Sequence, residues 1–162
     1  MAMAEPLSDS IPPSTVPRQL SFPLPRTRNT TVHMHMTLSN HSLLLFLTSQ
    51  TPEASSQKAA LGSFVYALPD RTSTTSPPLS TPLYIREQTL ENATRIAKIL
   101  AKRLAIPVYV GNSMNFSGAG GGGMVEEEME GVRKVIDVVM NEARKIREEW
   151  AKVKVNGAGS TE

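Results

Sequence analysis

The stretch from Thr31 to Leu38, TVHMHMTL, alternates strictly between two kinds of side chain. Val32, Met34, Met36 and Leu38 fall on one side of an extended chain, and Thr31, His33, His35 and Thr37 fall on the other. A helical period would mix the two sets, so the segment is predicted to be a strand. Ser39–Ser42, SNHS, has turn chemistry, because Asn tolerates the left-handed region. LLLFLTS follows at once. Two such runs joined by a short polar turn read as a β-hairpin.

The same reasoning extends along the chain. RQLSFPLPR (Arg18–Arg26) repeats the alternation through Leu20, Phe22 and Leu24, but Pro23 and Pro25 confine it to a sheet edge or an extended arm. AALGSFVYALP (Ala59–Pro69) is apolar on both faces and reads as a central strand covered on both sides. PLYIRE (Pro82–Glu87) and IPVYVG (Ile106–Gly111) are two further extended segments. Between them the period changes. Leu90, Ala93, Ile96, Ala97, Leu100 and Leu104 predict a helix over Thr89–Ala105, with Thr89 as its N-cap.

A second helix is predicted from about residue 125 to 151, roughly 40 Å at 1.5 Å per residue. Its seam is Val125, Met129, Val132, Ile136, Val139, Ala143, Ile146 and Trp150, close to the period of packed helices. Gly131 interrupts it at a cost of about 1 kcal/mol relative to Ala. The glutamates of EEEME suit the positive N-terminal end, and Lys145, Arg147 and Lys152 suit the other. A helix this long exceeds what a small sheet needs, so part of it is expected to serve an interface. The element order, β-β-β-β-β-α-β-α, predicts an α+β fold: an antiparallel β-sheet of about six strands with two helices, the second long and C-terminal. Residues 1–16 read as a disordered arm and 17–152 as one domain, with mobile loops at 70–81 and 112–124 and a tail at 153–162.

Several function classes conflict with the composition. There is no cysteine, which removes disulfides, thiolate metal sites and cysteine nucleophiles. The net charge of +2 and the 5% aromatic content fall short of a dedicated nucleic-acid binder. The longest solid apolar run, Leu43–Leu47, is far below the roughly 20 residues a membrane span needs. The first residues have neither the basic nor the apolar region of a signal peptide, so a soluble chain is expected.

Two motifs invite a chemical reading. His33 and His35 share a strand face at about 7 Å, close enough to hold one metal ion. Zinc needs three or four ligands, and the only aspartates are Asp9, Asp70 and Asp137, with His41 in the turn. The pair therefore reads as strand-face histidines, solvated or packed at an interface. Gly118, Gly120 and Gly123 spell a dinucleotide-binding pattern between a strand and a helix. The loop is low-complexity, the helix opens with three glutamates that repel a pyrophosphate, and no later strand completes the βαβ unit. It reads as a connector. No nucleophile elbow, carboxylate pair or triad stands out.

Taken in order, these segments resemble the proteasome assembly chaperone 4 family. That family has a strand with a His-hydrophobic-His triplet leading through a polar turn into an apolar strand, here VHMHMTLSNHSLLLFLTS (Val32–Ser49). A central apolar strand follows, here AALGSFVYAL. Next comes a helix that ends in basic residues and leads into a β stretch, here IAKILAKRLAIPVYVGNSMN (Ile96–Asn115). A final amphipathic helix closes the pattern, here VRKVIDVVMNEARKIREEW (Val132–Trp150). The resemblance covers roughly Gln19–Trp150.

It implies a non-enzymatic chaperone without cofactor or metal, cytoplasmic and also nuclear, contacting neither nucleic acid nor membrane. It implies a heterodimer with a protein like proteasome assembly chaperone 3 that binds proteasome α-type subunits while the 20S ring forms. Partner contact is expected on the hairpin at Val32, His33, Met34, His35, Met36 and Phe46, and on the central strand at Phe64 and Tyr66. On the last helix it is expected at Ile136, Val139, Met140, Ile146 and Trp150. The rival readings are a dimeric scaffold of another complex and a small nucleotide-binding protein that uses the glycine loop.

Overall fold

In the computed structural model, which describes residues 16–27, 29–54, 58–73, 75–116 and 125–157, the alternating stretch is strand β2 (Thr31–Leu38). It pairs antiparallel with β1 (Arg18–Pro23) and β3 (Leu43–Gln50). The turn between β2 and β3 is closed by Ser39. Its N–H donates to the Ser42 carbonyl at 2.9 Å, and its hydroxyl accepts from the N–H of His41 and of Ser42. The remaining strands are β4 (Ser63–Leu68), β5 (Leu79–Tyr84) and β6 (Val108–Asn112). Helix α1 (Glu87–Leu104) lies between β5 and β6, and α2 (Val125–Gly157) ends the described chain.

The sheet order is β1-β2-β3-β6-β4-β5. The expected antiparallel pairing holds at every joint except β3–β6, which is parallel. The exception follows from the connection. After the antiparallel β4–β5 pair, α1 carries the chain back across the sheet, and β6 inserts beside β3 rather than at an edge. Both Pro-bearing strands, β1 with Pro23 and β5 with Pro82, sit at the edges, where a missing N–H costs no ladder bond.

Both helices pack on the same face of the sheet. α1 covers β4 and β6, and α2 lies against β2 and alongside α1. Val32, Met34, Met36 and Leu38 enter this core with Leu43, Leu45, Val65, Val108 and Val110, all essentially without solvent contact. From the helices come Ala93, Ile96, Ala97 and Leu100, and Val132, Val135, Ile136, Val139, Ala143 and Ile146. The seam of α2 thus covers the sheet from Val132 onward, whereas Val125 and Met129 at its start are exposed.

Several boundaries differ from the sequence reading, each for a tertiary reason. β5 begins at Leu79 rather than Pro82, because Leu79, Ser80 and Thr81 pair with Leu68, Ala67 and Tyr66. β6 extends to Asn112. Beyond it, Met114 and Phe116, expected in a mobile loop, are buried against the core. The N-cap of α1 is Arg86, and its side chain makes no cap bond. Thr89, expected to cap, is instead buried and accepts the Ser63 N–H at 3.0 Å. Its neighbour Ser63 donates its hydroxyl to the Arg86 carbonyl at 2.8 Å, so the helix start is tied to β4. Among the described residues, β4 is covered on one face only, not two. α2 continues to Gly157, a length of about 50 Å at 1.5 Å per residue. The strands beneath it are at most eight residues, about 27 Å. The 117–124 segment with its glycine pattern lies outside the described residues, as does 1–15.

Candidate interaction face

With both helices on one side, the second face of the six strands is left without a cover from the described residues. Period-two geometry decides what lies there. β2 contributes His33 and His35, β3 Leu44 and Phe46, β4 Phe64 and Tyr66, and β6 Tyr109, all half-buried. The rings form a continuous row across four strands. His35 lies 6.3 Å from Phe46, Phe46 stacks on Phe64 at 6.0 Å and 12°, Phe64 lies 6.3 Å from Tyr109, and Tyr109 meets Tyr66 at 4.5 Å. Tyr84 on β5 is in register with Phe64 and is well exposed.

One glycine makes the row possible. Phe46 on β3 and Phe64 on β4 both pair with Gly111 on β6. A Cβ at Gly111 would stand 2.6 Å from Phe46 Cδ1, well inside contact distance. Without it, the Phe46 ring lies across β6 and stacks on Phe64. At the β1 end, the row borders a groove of about 500 Å³ walled by Gln19, Ser21, His33, Phe46 and Leu61. Ser21 Oγ and His33 Nδ1 share a hydrogen bond of 2.8 Å on its rim. The Tyr66 phenol is held above its ordinary pKa by desolvation among its neighbours and by the adjacent Tyr109.

The predicted interface residues therefore divide. His33, His35, Phe46, Phe64 and Tyr66 come together on the open face. Val32, Met34, Met36, Ile136, Val139 and Ile146 are all at most 5% exposed and belong to the chain's own core, where α2 rests on β2. As partner contacts these six are corrected: the covering helix comes from the same chain. Met140 and Trp150 are partly buried against that core. The sequence reading missed Leu44, Tyr109 and Gly111. The signal was present in VYVG, where Tyr109 and Gly111 alternate with Val108 and Val110. No cluster of three metal-ligating side chains exists among the described residues, and no described helix is long and apolar enough to cross a membrane.

A family model described as proteasome assembly chaperone 4 matches residues 31–114, just over half of the chain. The chain belongs to the proteasome assembly chaperone 4 family. The matched residues run from the start of β2 through β6, so they hold five of the six strands and α1. α2 lies beyond them. Comparison with curated proteins gives no match. Among solved structures, a chain from the crystal structure of a novel chaperone complex for yeast 20S proteasome assembly superposes with a TM-score of 0.54. It is 18% identical, and the alignment covers 78% of this chain and 97% of that one. At that identity the likeness speaks for the fold, and the fold is the one described above. In this chain the fold places both helices on one side of a mixed sheet and, among the described residues, leaves an aromatic face on the other.

Proposed function

We propose that this chain is one half of a heterodimeric proteasome assembly chaperone. Its open sheet face packs against a related small chaperone, similar to proteasome assembly chaperone 3. The pair then holds α-type subunits of the 20S proteasome while their ring forms, in the cytoplasm and nucleus. The observation that carries this reading is the uncovered row from His35 to Tyr66, together with membership of the family. Five neighbouring rings on a sheet face are a large apolar surface for a chain of 162 residues. Aromatic residues also dominate the cores of protein interfaces. The sheet edges and loops remain free for the α-type subunit. A role that ends when the particle matures needs contacts that later subunits displace, and a partly polar surface with His33, His35 and Ser21 at its margin suits that.

Co-expression with the sister chaperone and an α-type subunit tests the reading. The native chain should elute as a one-to-one pair that retains the α-type subunit. Phe46→Ala with Tyr66→Ala should weaken pairing at least tenfold, about 1.4 kcal/mol, in a monomer that loses some stability with its ring contacts but still unfolds in one cooperative transition. A stable monomer that ignores both proteins, or undiminished pairing in the double variant, would sink it.

A further inference from the structure

On the outer side of the helical layer, away from the open sheet face, α1 and α2 leave a groove of about 160 Å³ between them. Its floor is apolar. Ile99 comes from α1 and Met129 from α2, and Met129 is half exposed. Its walls are arginines: Arg95 and Arg103 from α1 and Arg133 from α2, against a single acid, Asp137. From Arg95 to Arg103 the chain places Lys98 and Lys102 as well and no acidic residue.

Local carboxylates neutralise only one of these three arginines. Arg95 holds Glu91 at 2.8 Å, one turn back along α1. Among the described residues, Arg103 and Arg133 form no ion pair. The acidic first turns of α2 look elsewhere: Glu130 binds Arg26 at 2.6 Å, Glu126 approaches the same guanidinium at 4.0 Å, and Glu128 accepts from Asn92. A guanidinium presents a planar fork that matches a carboxylate bidentately. An exposed methionine is an adaptable apolar seat.

We infer that this groove binds an acidic peptide segment of another protein. One apolar side chain sits on Ile99 and Met129, and flanking carboxylates face Arg103 and Arg133. Charge complementarity selects this occupant. A nucleic acid would need a longer basic stripe and stacking rings, and no aromatic side chain lines this groove. The groove stays open whatever covers the sheet, because the thickness of the domain separates them. The inference is therefore independent of the identity of the sister chaperone.

Fluorescence anisotropy of the full chain with a short labelled peptide, one leucine flanked by glutamates, tests it. Saturable binding is expected, weakening as salt rises, because exposed charges are screened within about 10 Å at 0.1 M. Arg103→Glu with Arg133→Glu should weaken it at least tenfold, and Arg103→Lys with Arg133→Lys by a smaller factor, since charge remains and the fork is lost. Both pairs lie on exposed positions, and pairing through the sheet face should be unchanged in each. The inference is overturned by absence of saturation, by equal binding of the lysine counterpart peptide, or by unchanged affinity in the glutamate variant. Tighter binding of a short RNA or of anionic vesicles than of the peptide overturns it as well.

Discussion

Helix propensity alone says that Gly131→Ala should stabilise α2 by about 1 kcal/mol. The structure reverses the sign. A Cβ at Gly131 would lie 2.3 Å from Phe116 Cε1, 3.0 Å from Phe116 Cδ1 and 3.3 Å from Leu24 Cδ2. Phe116 and Leu24 are each 6% exposed, so neither yields without leaving the core. Overpacking of this kind costs about 1–3 kcal/mol, which outweighs the propensity gain. The expected result is a net loss of about 1 kcal/mol, or about 2–4 °C in melting temperature for a domain of this size. Urea denaturation of a double-mutant cycle isolates the cause. In a Phe116→Val background both clashing ring atoms are gone, and Gly131→Ala should then stabilise by about 1 kcal/mol. The cycle should give a coupling of about 2 kcal/mol with a change of sign. A raised denaturation midpoint for Gly131→Ala in the native background would refute the reasoning, and so would a cycle with no coupling.

Four other outcomes are expected. Met36→Ala, at a site with no solvent contact, should cost about 2–5 kcal/mol by chemical denaturation; a loss of partner binding without loss of stability would contradict its place in the core. Thr89→Val removes the acceptor of the buried Ser63 N–H and should cost about 1–3 kcal/mol in the same assay. His33→Ala with His35→Ala should alter association with the sister chaperone and leave metal content, read by elemental analysis, unchanged. The Tyr66 phenol should titrate above the ordinary 10.0, followed by tyrosinate absorbance. Because its folded-state pKa is raised, the associated stability is complete below pH 10 and is lost as pH climbs through the raised value. Tyr109→Phe should bring that titration down, since it removes the neighbouring phenol and its hydrogen bond.

Local patterns reported the elements well. The alternation of Thr31–Leu38 placed Met34 and Met36 on the covered side and His33 and His35 on the other, and both assignments hold in β2. The seam of α2 from Val132 to Ile146 is the stripe that meets the sheet. Ligand counting set aside the His pair as a zinc clip, and His33 in the structure bonds Ser21 on the adjacent strand. The pattern misled where a residue's role depends on a distant partner. Thr89 has the chemistry of a cap, but Ser63 takes its hydroxyl. Met114 and Phe116 sit among turn residues in the sequence and in the core of the fold. The candidate face was half legible: Phe46, Phe64 and Tyr66 were singled out, while Tyr109 and Gly111 were not, because their importance comes from β6 lying between β3 and β4.

By itself, then, the sequence determined which segments are strands and helices, which side of each is apolar, and the family to which their order belongs. These depend on backbone geometry that repeats every two or 3.6 residues, and so on neighbours a few positions away. Tertiary structure alone decided that one strand joint is parallel, that both helices share one face, and that Gly131 accommodates a phenylalanine ring. It also decided that rings from four strands meet in one row. Those outcomes join residues well beyond one helical or strand repeat, up to the 65 positions between Phe46 and Gly111 (111 − 46). No local period encodes that distance; it is set by how α1 returns the chain across the sheet.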